Sequence, residues 1–345
     1  MYLWTPLPRT AGAALRDAAH ARASVRLSAI ADLVRGAAGE EGDACVERLL
    51  ELVERDADVE VRAAAALALA DAGATRALPS LVRAAGSSEP RVRQMALVAL
   101  GELAEPGDTE ASRVLASAFE SEEAPALRFQ ALVAAGRLLP QTELSSWLER
   151  ALNGTESKLR YIACRIVEER FFSDPGSDEA LRRAWEARLA TYLDDAELDV
   201  ALAAALLLAP RGSEAARTRV VDALNRRRSF PQAEDEQAAI ELCAELGLDA
   251  ARPGLLGRAF GGALRNGSAL AFQARVALAR LGDERARRYI LRGLSSFRRS
   301  VRVQCVAAAG LARLEAARPR LLELRRTTRD ADQQSVTEAL LAIDG

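Results

Sequence analysis

Half of the 345 residues are hydrophobic but only 4% are aromatic. The chain therefore cannot fill one large globular core with Phe and Trp, and Ala, Leu and Val must carry burial through many thin helix–helix contacts. A formal net charge of −2 and a pI of about 5.8 exclude a chain that holds nucleic acid by bulk electrostatics alone.

The charge is nevertheless uneven. Residues 250–345 hold about 18 Arg against about 8 acids, roughly +10, which leaves roughly −12 for the remainder. Such asymmetry suits a face for an anionic partner, and it also suits drift among surface charges in a long chain. Lys158 is the single lysine, so the preference for Arg reads as coding bias.

From the N-terminus, Met1 to Pro8 lacks the basic-then-apolar order of a secretory leader. Residues 1–9 read as an extension ahead of a repeated region spanning 10–345. The longest apolar run, Val200 to Ala209, is too short to cross a bilayer. Cys45, Cys164, Cys243 and Cys305 lie far apart without CxxC or Cys/His spacing, so neither zinc nor a disulfide framework is expected. Cys243 and Cys305 fall in apolar runs and read as buried thiols. A soluble protein of the reducing cytoplasm, with no membrane association, is the expectation.

The repeat is clearest over residues 58–103. Asp58-Val59-Glu60-Val61-Arg62 opens an Ala/Leu run to Gly73, followed by Ala77-Leu78-Pro79-Ser80-Leu81; Glu89-Pro90-Arg91-Val92-Arg93 opens the next run. The Val/Leu-Arg anchor recurs at Val25-Arg26, Leu127-Arg128, Leu159-Arg160 and Val301-Arg302. Degenerate versions fit at Leu198-Asp199, Asp235-Glu236, Leu270-Ala271 and Ala331-Asp332. Successive anchors are about 30 to 39 residues apart, a period of helical repeats. Three residues beyond each anchor come Ala29, Ala65, Ala96, Ala131, Ala163, Ala239, Ala274, Cys305 and Ser335, with Leu202 the one large exception. A column kept small predicts neighbouring backbones in close approach there.

Each anchor opens a first helix whose far end often carries Gly: Gly73, Gly101, Gly136, Gly247, Gly282 and Gly310. These suit helix ends or close crossings. A second helix follows, as in Leu78–Ala85, Glu110–Phe119, Leu144–Leu152, Ala180–Leu193, Glu214–Arg226 and Arg285–Leu294. Pro79, Pro140, Pro253 and Pro319 mark the starts of such helices, where a missing N–H costs nothing.

The acid-x-x-Val/Leu-Arg starts and the Leu-Pro-x-Leu of the second helix resemble the HEAT-repeat family, and in particular the short bacterial repeats of phycobilisome (PBS) lyases. The resemblance implies an all-α fold, a right-handed α-solenoid of about ten helix pairs in one domain over 1–345. It is irregular at about 168–260, where Phe171 and Phe172 precede a Pro-Gly turn. It also implies a ladder of acid–Arg contacts between repeats, from Asp58/Arg62, Glu89/Arg93 and Glu156/Arg160. HEAT arrays serve as scaffolds, adaptors, lyase subunits and a few nucleic-acid enzymes, so the resemblance defines fold more tightly than function.

Nothing in the sequence calls for catalytic, cofactor-binding or metal-binding residues. His20 is the single histidine and reads as a solvated helix-end residue. There is no GxxxxGK[ST] and no strand-led GxGxxG. Asp194-Asp195 and Glu122-Glu123 sit in predicted turns, where capping explains them. A bilin lyase would need an aromatic and polar pocket, and a DNA glycosylase would use tryptophans such as Trp147 and Trp185 near a basic face; neither family's local motif is found. The principal expectation is a non-catalytic scaffold or adaptor that binds a protein partner through the concave face of the solenoid. Repeated positions just past the anchors supply candidates: Phe129, Gln130, Tyr161, Phe272, Gln273 and Gln304. The alternative is an anion- or nucleic-acid-binding module in the Arg-rich C-terminal third, using Arg287, Arg288, Arg298 and Arg299, with Arg285, Arg292, Tyr289 and Phe297 nearby.

Overall fold

The structure is a computed structural model that describes residues 9–121, 124–173, 176, 178–226, 230–261, 268–326 and 333–344. These residues form helices and turns, with no strand among them. Backbone contacts gather into two compact units, Met1–Asp178 and Glu179–Gly345. The boundary falls in the stretch where the repeat pattern loses its rhythm.

Unit 1 runs α1 (Ala11–Asp17), α2 (Ala23–Gly36), α3 (Gly42–Arg55), α4 (Val59–Asp71), α5 (Leu78–Ala85), α6 (Pro90–Leu103), α7 (Thr109–Ser121), α8 (Pro125–Leu138), α9 (Gln141–Asn153) and α10 (Ser157–Val167). Unit 2 runs α11 (Glu179–Ala190), α12 (Leu198–Leu208), α13 (Glu214–Asn225), α14 (Ala233–Glu245), α15 (Arg252–Phe260), α16 (Ala269–Arg280), α17 (Glu284–Gly293), α18 (Arg299–Leu311), α19 (Arg318–Arg326) and α20 (Gln333–Asp344). Nine anchors fall at the starts of α2, α4, α6, α8, α10, α12, α14, α16 and α18; the tenth, Ala331-Asp332, lies outside the described residues.

The even-numbered helices make one layer. In unit 1, α2 packs on α4, α4 on α6, α6 on α8 and α8 on α10; in unit 2 the same order joins α12, α14, α16, α18 and α20. The odd-numbered helices form a second layer, each packed on the first helix of the following repeat, as α3 is on α4 and α5 on α6. Each unit is thus an all-α solenoid stack. The layers differ in burial because of this arrangement. First-layer helices are enclosed on most sides: every residue of α12 from Val200 to Leu208 is buried. Second-layer helices bury one stripe, as α3 does with Cys45, Val46, Leu49, Leu52 and Val53 at helical spacing.

The small column does what its composition predicts. Ala29, Ala65, Ala96, Ala131, Ala163, Ala239 and Ala274 are fully buried, and so is the exceptional Leu202. The glycines divide into two kinds. Gly73, Gly247 and Gly282 have φ of +63°, +66° and +81° and end their helices in the left-handed region. Gly101, Gly136 and Gly310 lie within helices at crossings: a Cβ on Gly101 would stand 2.7 Å from the Ala134 Cβ, and one on Gly310 would stand 2.7 Å from the Ala339 Cα.

The anchor Arg is a tether to its own preceding loop. Arg26, Arg62, Arg93, Arg160 and Arg302 each donate from Nη1 to the carbonyl six residues earlier, at His20, Asp56, Ser87, Gly154 and Ser296. Where the anchor is Glu236, the polarity inverts: its carboxylate accepts from the N–H of Phe230, again six residues earlier, at 3.4 Å. A degenerate anchor thus keeps the tether and swaps donor for acceptor.

The acid–Arg ladder is partly present. Arg128 bonds Glu156 of the next repeat at 2.6 Å, as the resemblance implies. Arg26 reaches forward to Asp56 through two bonds of 2.7 Å. Asp58 instead caps its own α4, accepting from the N–H groups of Glu60 and Val61. Burial pushes the Asp56 carboxyl up, but bonds from Arg26 and from the Asp58 N–H outweigh it and hold Asp56 below the usual carboxylate range.

Candidate functional site

Four reactive or stacking groups singled out in the sequence are structural. His20 is exposed in the turn after α1, and its Nδ1 accepts from the Arg22 N–H at 3.0 Å. Trp147 and Trp185 are buried, and Trp147 stacks on Phe119 with centroids 5.0 Å apart. Neither indole is therefore available to a base. Phe171, in the wide turn Glu168–Phe172 that follows α10, is fully buried; it fills an irregular junction, and Asp174 and Pro175 lie outside the described residues. Asp195 caps the Glu197 N–H, as expected, while Glu122 and Glu123 also lie outside the described residues.

The cysteines are all buried. Burial pushes the thiol of Cys243 up to about 12 and that of Cys305 up to about 11, the latter despite the guanidinium of Arg275 nearby. Among the described residues no cluster of three or more His, Cys, Asp or Glu could hold a metal ion, and no helix is long and apolar enough to cross a membrane.

The candidate partner-binding residues occupy different settings. Phe129 and Gln130 are half-buried on α8, and Tyr161 is half-buried on α10. In unit 2, Phe272 and Gln273 are half-buried on α16 and Gln304 is exposed on α18. Arg287 bends away from its neighbours, with Nε on the Ala279 carbonyl at 3.3 Å and Nη1 3.5 Å from Glu284. Arg298 lies over the ring of Phe297 at 5.8 Å, and Arg299 is exposed at the start of α18. Of the four arginines chosen from the sequence, Arg288 lines a groove on unit 2.

That cavity, about 640 Å³, opens between α17 and the turn into α18. Arg285, Arg288 and Arg292 line it from α17, with Phe260 from the end of α15, Phe297 from the turn before α18 and Val301 from α18. The three arginines stand at helix positions i, i+3 and i+7 and share one side of α17. Among the described residues no carboxylate pairs with any of them. The sequence shows why: no Asp or Glu occurs between Glu284 and Glu315.

Beneath them lies an aromatic floor with a cation built in. Phe260 and Tyr289 meet edge to face at 6.0 Å and 70°. Arg275 of α16, 5% exposed, donates from Nε to the Ala259 carbonyl at 3.1 Å and holds its guanidinium 4.4 Å from the Tyr289 ring centre. Arg285 covers Phe260 at 4.1 Å. Phe297 is 89% exposed. An uncovered ring of that size beside unpaired guanidinium groups is an unusual surface for a protein to leave in water. Phe260 and Arg275 were missed from the sequence because no spacing rule joins residue 260 to 289; the acid-free interval after Glu284 was the signal available.

A second groove, about 440 Å³, lies on unit 1. Two of its three cations, Arg62 and Arg83, are already engaged. Arg83 pairs with Glu54, which also accepts from the Ser80 hydroxyl at 2.6 Å, and Arg62 is held by its loop carbonyls. The bonds from Ser80 and Arg83 keep Glu54 below the usual carboxylate range.

Residues 46–136 match the family model described as HEAT repeats. Two solved structures are similar over most of their length. One is the complex of CpcE and CpcF of phycocyanin lyase from Nostoc sp., at 19% identity and a TM-score of 0.44, covering 81% of this chain and 98% of that one. The other is YibA of Escherichia coli, at 13% identity and a TM-score of 0.44, covering 94% and 98%. No curated protein sequence matches the chain. Residues 46–136 are therefore HEAT repeats, and the same anchor, small column and two-layer packing recur on either side of them.

Proposed function

We propose that the chain is a non-catalytic scaffold or adaptor of a reducing compartment that binds a protein partner on its helical surface. The groove beside α17 is the contact in unit 2. The observation that carries this reading is Phe297, 89% exposed, beside Tyr289 and three arginines without carboxylate partners among the described residues. Aromatic residues and Arg dominate the few positions that supply most of an interface's binding energy, and covering Phe297 with a partner removes a large apolar ring from water. The half-buried Phe129 and Tyr161 of unit 1 are further candidate contacts.

The test is site-specific photo-crosslinking in producing cells, with a benzophenone amino acid at position 297 and, as control, at the exposed Asp43. Protein adducts enriched at position 297 are expected. Recovery of nucleic acid alone, or equal labelling from both positions, would overturn the proposal.

A further inference from the structure

The chemistry of the groove narrows the partner. Its wall on α17 is cationic: Arg285, Arg288 and Arg292 have no carboxylate partner among the described residues, and the buried Arg275 adds a fourth charge behind Tyr289. The groove also has an apolar lining, from Phe260, Phe297 and Val301. Along the helix, Arg288 and Arg292 are separated by a rise of about 6 Å. Alternate residues of an extended strand are about 6.6 Å apart and point the same way, while the residues between them point to the opposite side. A strand with a carboxylate at every second position therefore meets Arg288 and Arg292 in register and leaves its intervening side chains for Phe297 and Val301.

We propose that this groove takes an extended acidic segment of a partner protein in which carboxylates alternate with bulky apolar side chains. The inference rests on the protein-binding reading above and adds the partner's chemistry to it. The arginine triad spans about 10.5 Å along α17, room for three or four residues of strand. Over that length the carboxylates gain charge-assisted bonds to guanidinium groups that no described acid occupies, and the apolar residues cover Phe297. A nucleic acid fits less well. Its charges would need cations continued along a longer track and several rings for stacking, whereas Phe297 is the one ring here that stands nearly free of protein.

The experiment uses the full chain and fluorescence anisotropy. The probes are a fluorescein-labelled peptide of alternating Glu and Leu, its Gln-Leu and Glu-Ser counterparts, and an oligo-dT strand. The Glu-Leu peptide is expected to bind. Exchanging Glu for Gln in the peptide, or making Arg288→Glu with Arg292→Glu in the protein, weakens binding about tenfold or more. Phe297→Ser weakens the Glu-Leu peptide and leaves the Glu-Ser peptide unchanged. These substitutions are at exposed positions, and an unchanged thermal melt verifies that the variants fold. Equal affinity for the Gln-Leu peptide, indifference to Phe297→Ser, or tighter binding of oligo-dT through the same arginines would overturn the inference. If no peptide binds while position 297 still crosslinks to a protein, the acidic-segment inference falls and the scaffold reading stands.

Discussion

Gly101 and Gly73 both lie toward the far ends of first helices in neighbouring repeats, yet they are glycines for different reasons. At Gly101 the helix continues and the neighbouring helix occupies the space a side chain would need, with the Ala134 Cβ at 2.7 Å from an added Cβ. At Gly73 nothing lies within 4 Å, and the constraint is φ of +63°. Gly101→Ala should therefore cost about 1–3 kcal/mol by overpacking, and Gly73→Ala about 1–2 kcal/mol by backbone strain. Urea midpoints measure both. The packing origin is distinguished by Ala134→Gly, which should restore stability to the first variant and not to the second. Cys243 makes a pH prediction at the same scale. Its thiol ionises near 9.0 when unfolded and near 12 when buried. Between those values the folded state holds a proton that the unfolded state has released, so stability falls as pH rises through that window. The fall should be shallower in Cys243→Ala, as thermal melts from pH 8 to 11 would show, and iodoacetamide should label Cys243 only on unfolding.

At the scale of the helix pair, the tether to the residue six positions back explains the anchor better than any contact between repeats. Arg62→Ala removes a charged donor from the Asp56 and Ala57 carbonyls and should cost about 1.5–3 kcal/mol. Asp56 is also paired with Arg26, so Asp56→Asn should remove stability at neutral pH. Because its folded ionisation lies below the unfolded one, that contribution is present above the unfolded range and lost as the solution is acidified through the folded value. The inverted anchor supplies a sharper test. Glu236 and Arg258 form a pair at 2.6 Å with side chains 6% and 12% exposed, and Arg258 lies over the Phe230 ring at 5.5 Å. Glu236→Ala strands a buried guanidinium and should cost about 3–5 kcal/mol. The double variant with Arg258→Ala should lose much less than the sum, a coupling that a double-mutant cycle reads directly.

Within each unit, stability comes from neighbours and not from a common centre. A helix of the first layer with a partner on both sides is held by two interfaces. In unit 1, amides of α4, α6 and α8 should exchange slowest with deuterated solvent and those of the seven-residue α1 fastest, as hydrogen-exchange mass spectrometry would resolve. The reverse order would mean that unit 1 owes its order to something other than stacked pairs.

The repeat was legible in the sequence because its causes are local. The anchor, the small column and the second-helix prolines act within one helix or between consecutive ones, so a spacing of about 30 to 39 residues repeats each cause as a visible pattern. Even the degenerate units at Leu198, Asp235 and Leu270 have a helix start where the register places one. What the sequence left undecided was which arginine lacks a carboxylate partner. Arg287 and Arg288 are adjacent and chemically identical, yet one pairs with the Glu284 carboxylate while the other, its Nε on the Glu284 carbonyl, lines the groove. Phe171 and Phe297 are both aromatics beside turns, one wholly buried and the other almost wholly exposed. Such differences arise only when helices from separate repeats are brought together. A side chain's partners are set by the residues packed around it in space, and those are chosen by the fold rather than by the order of the chain.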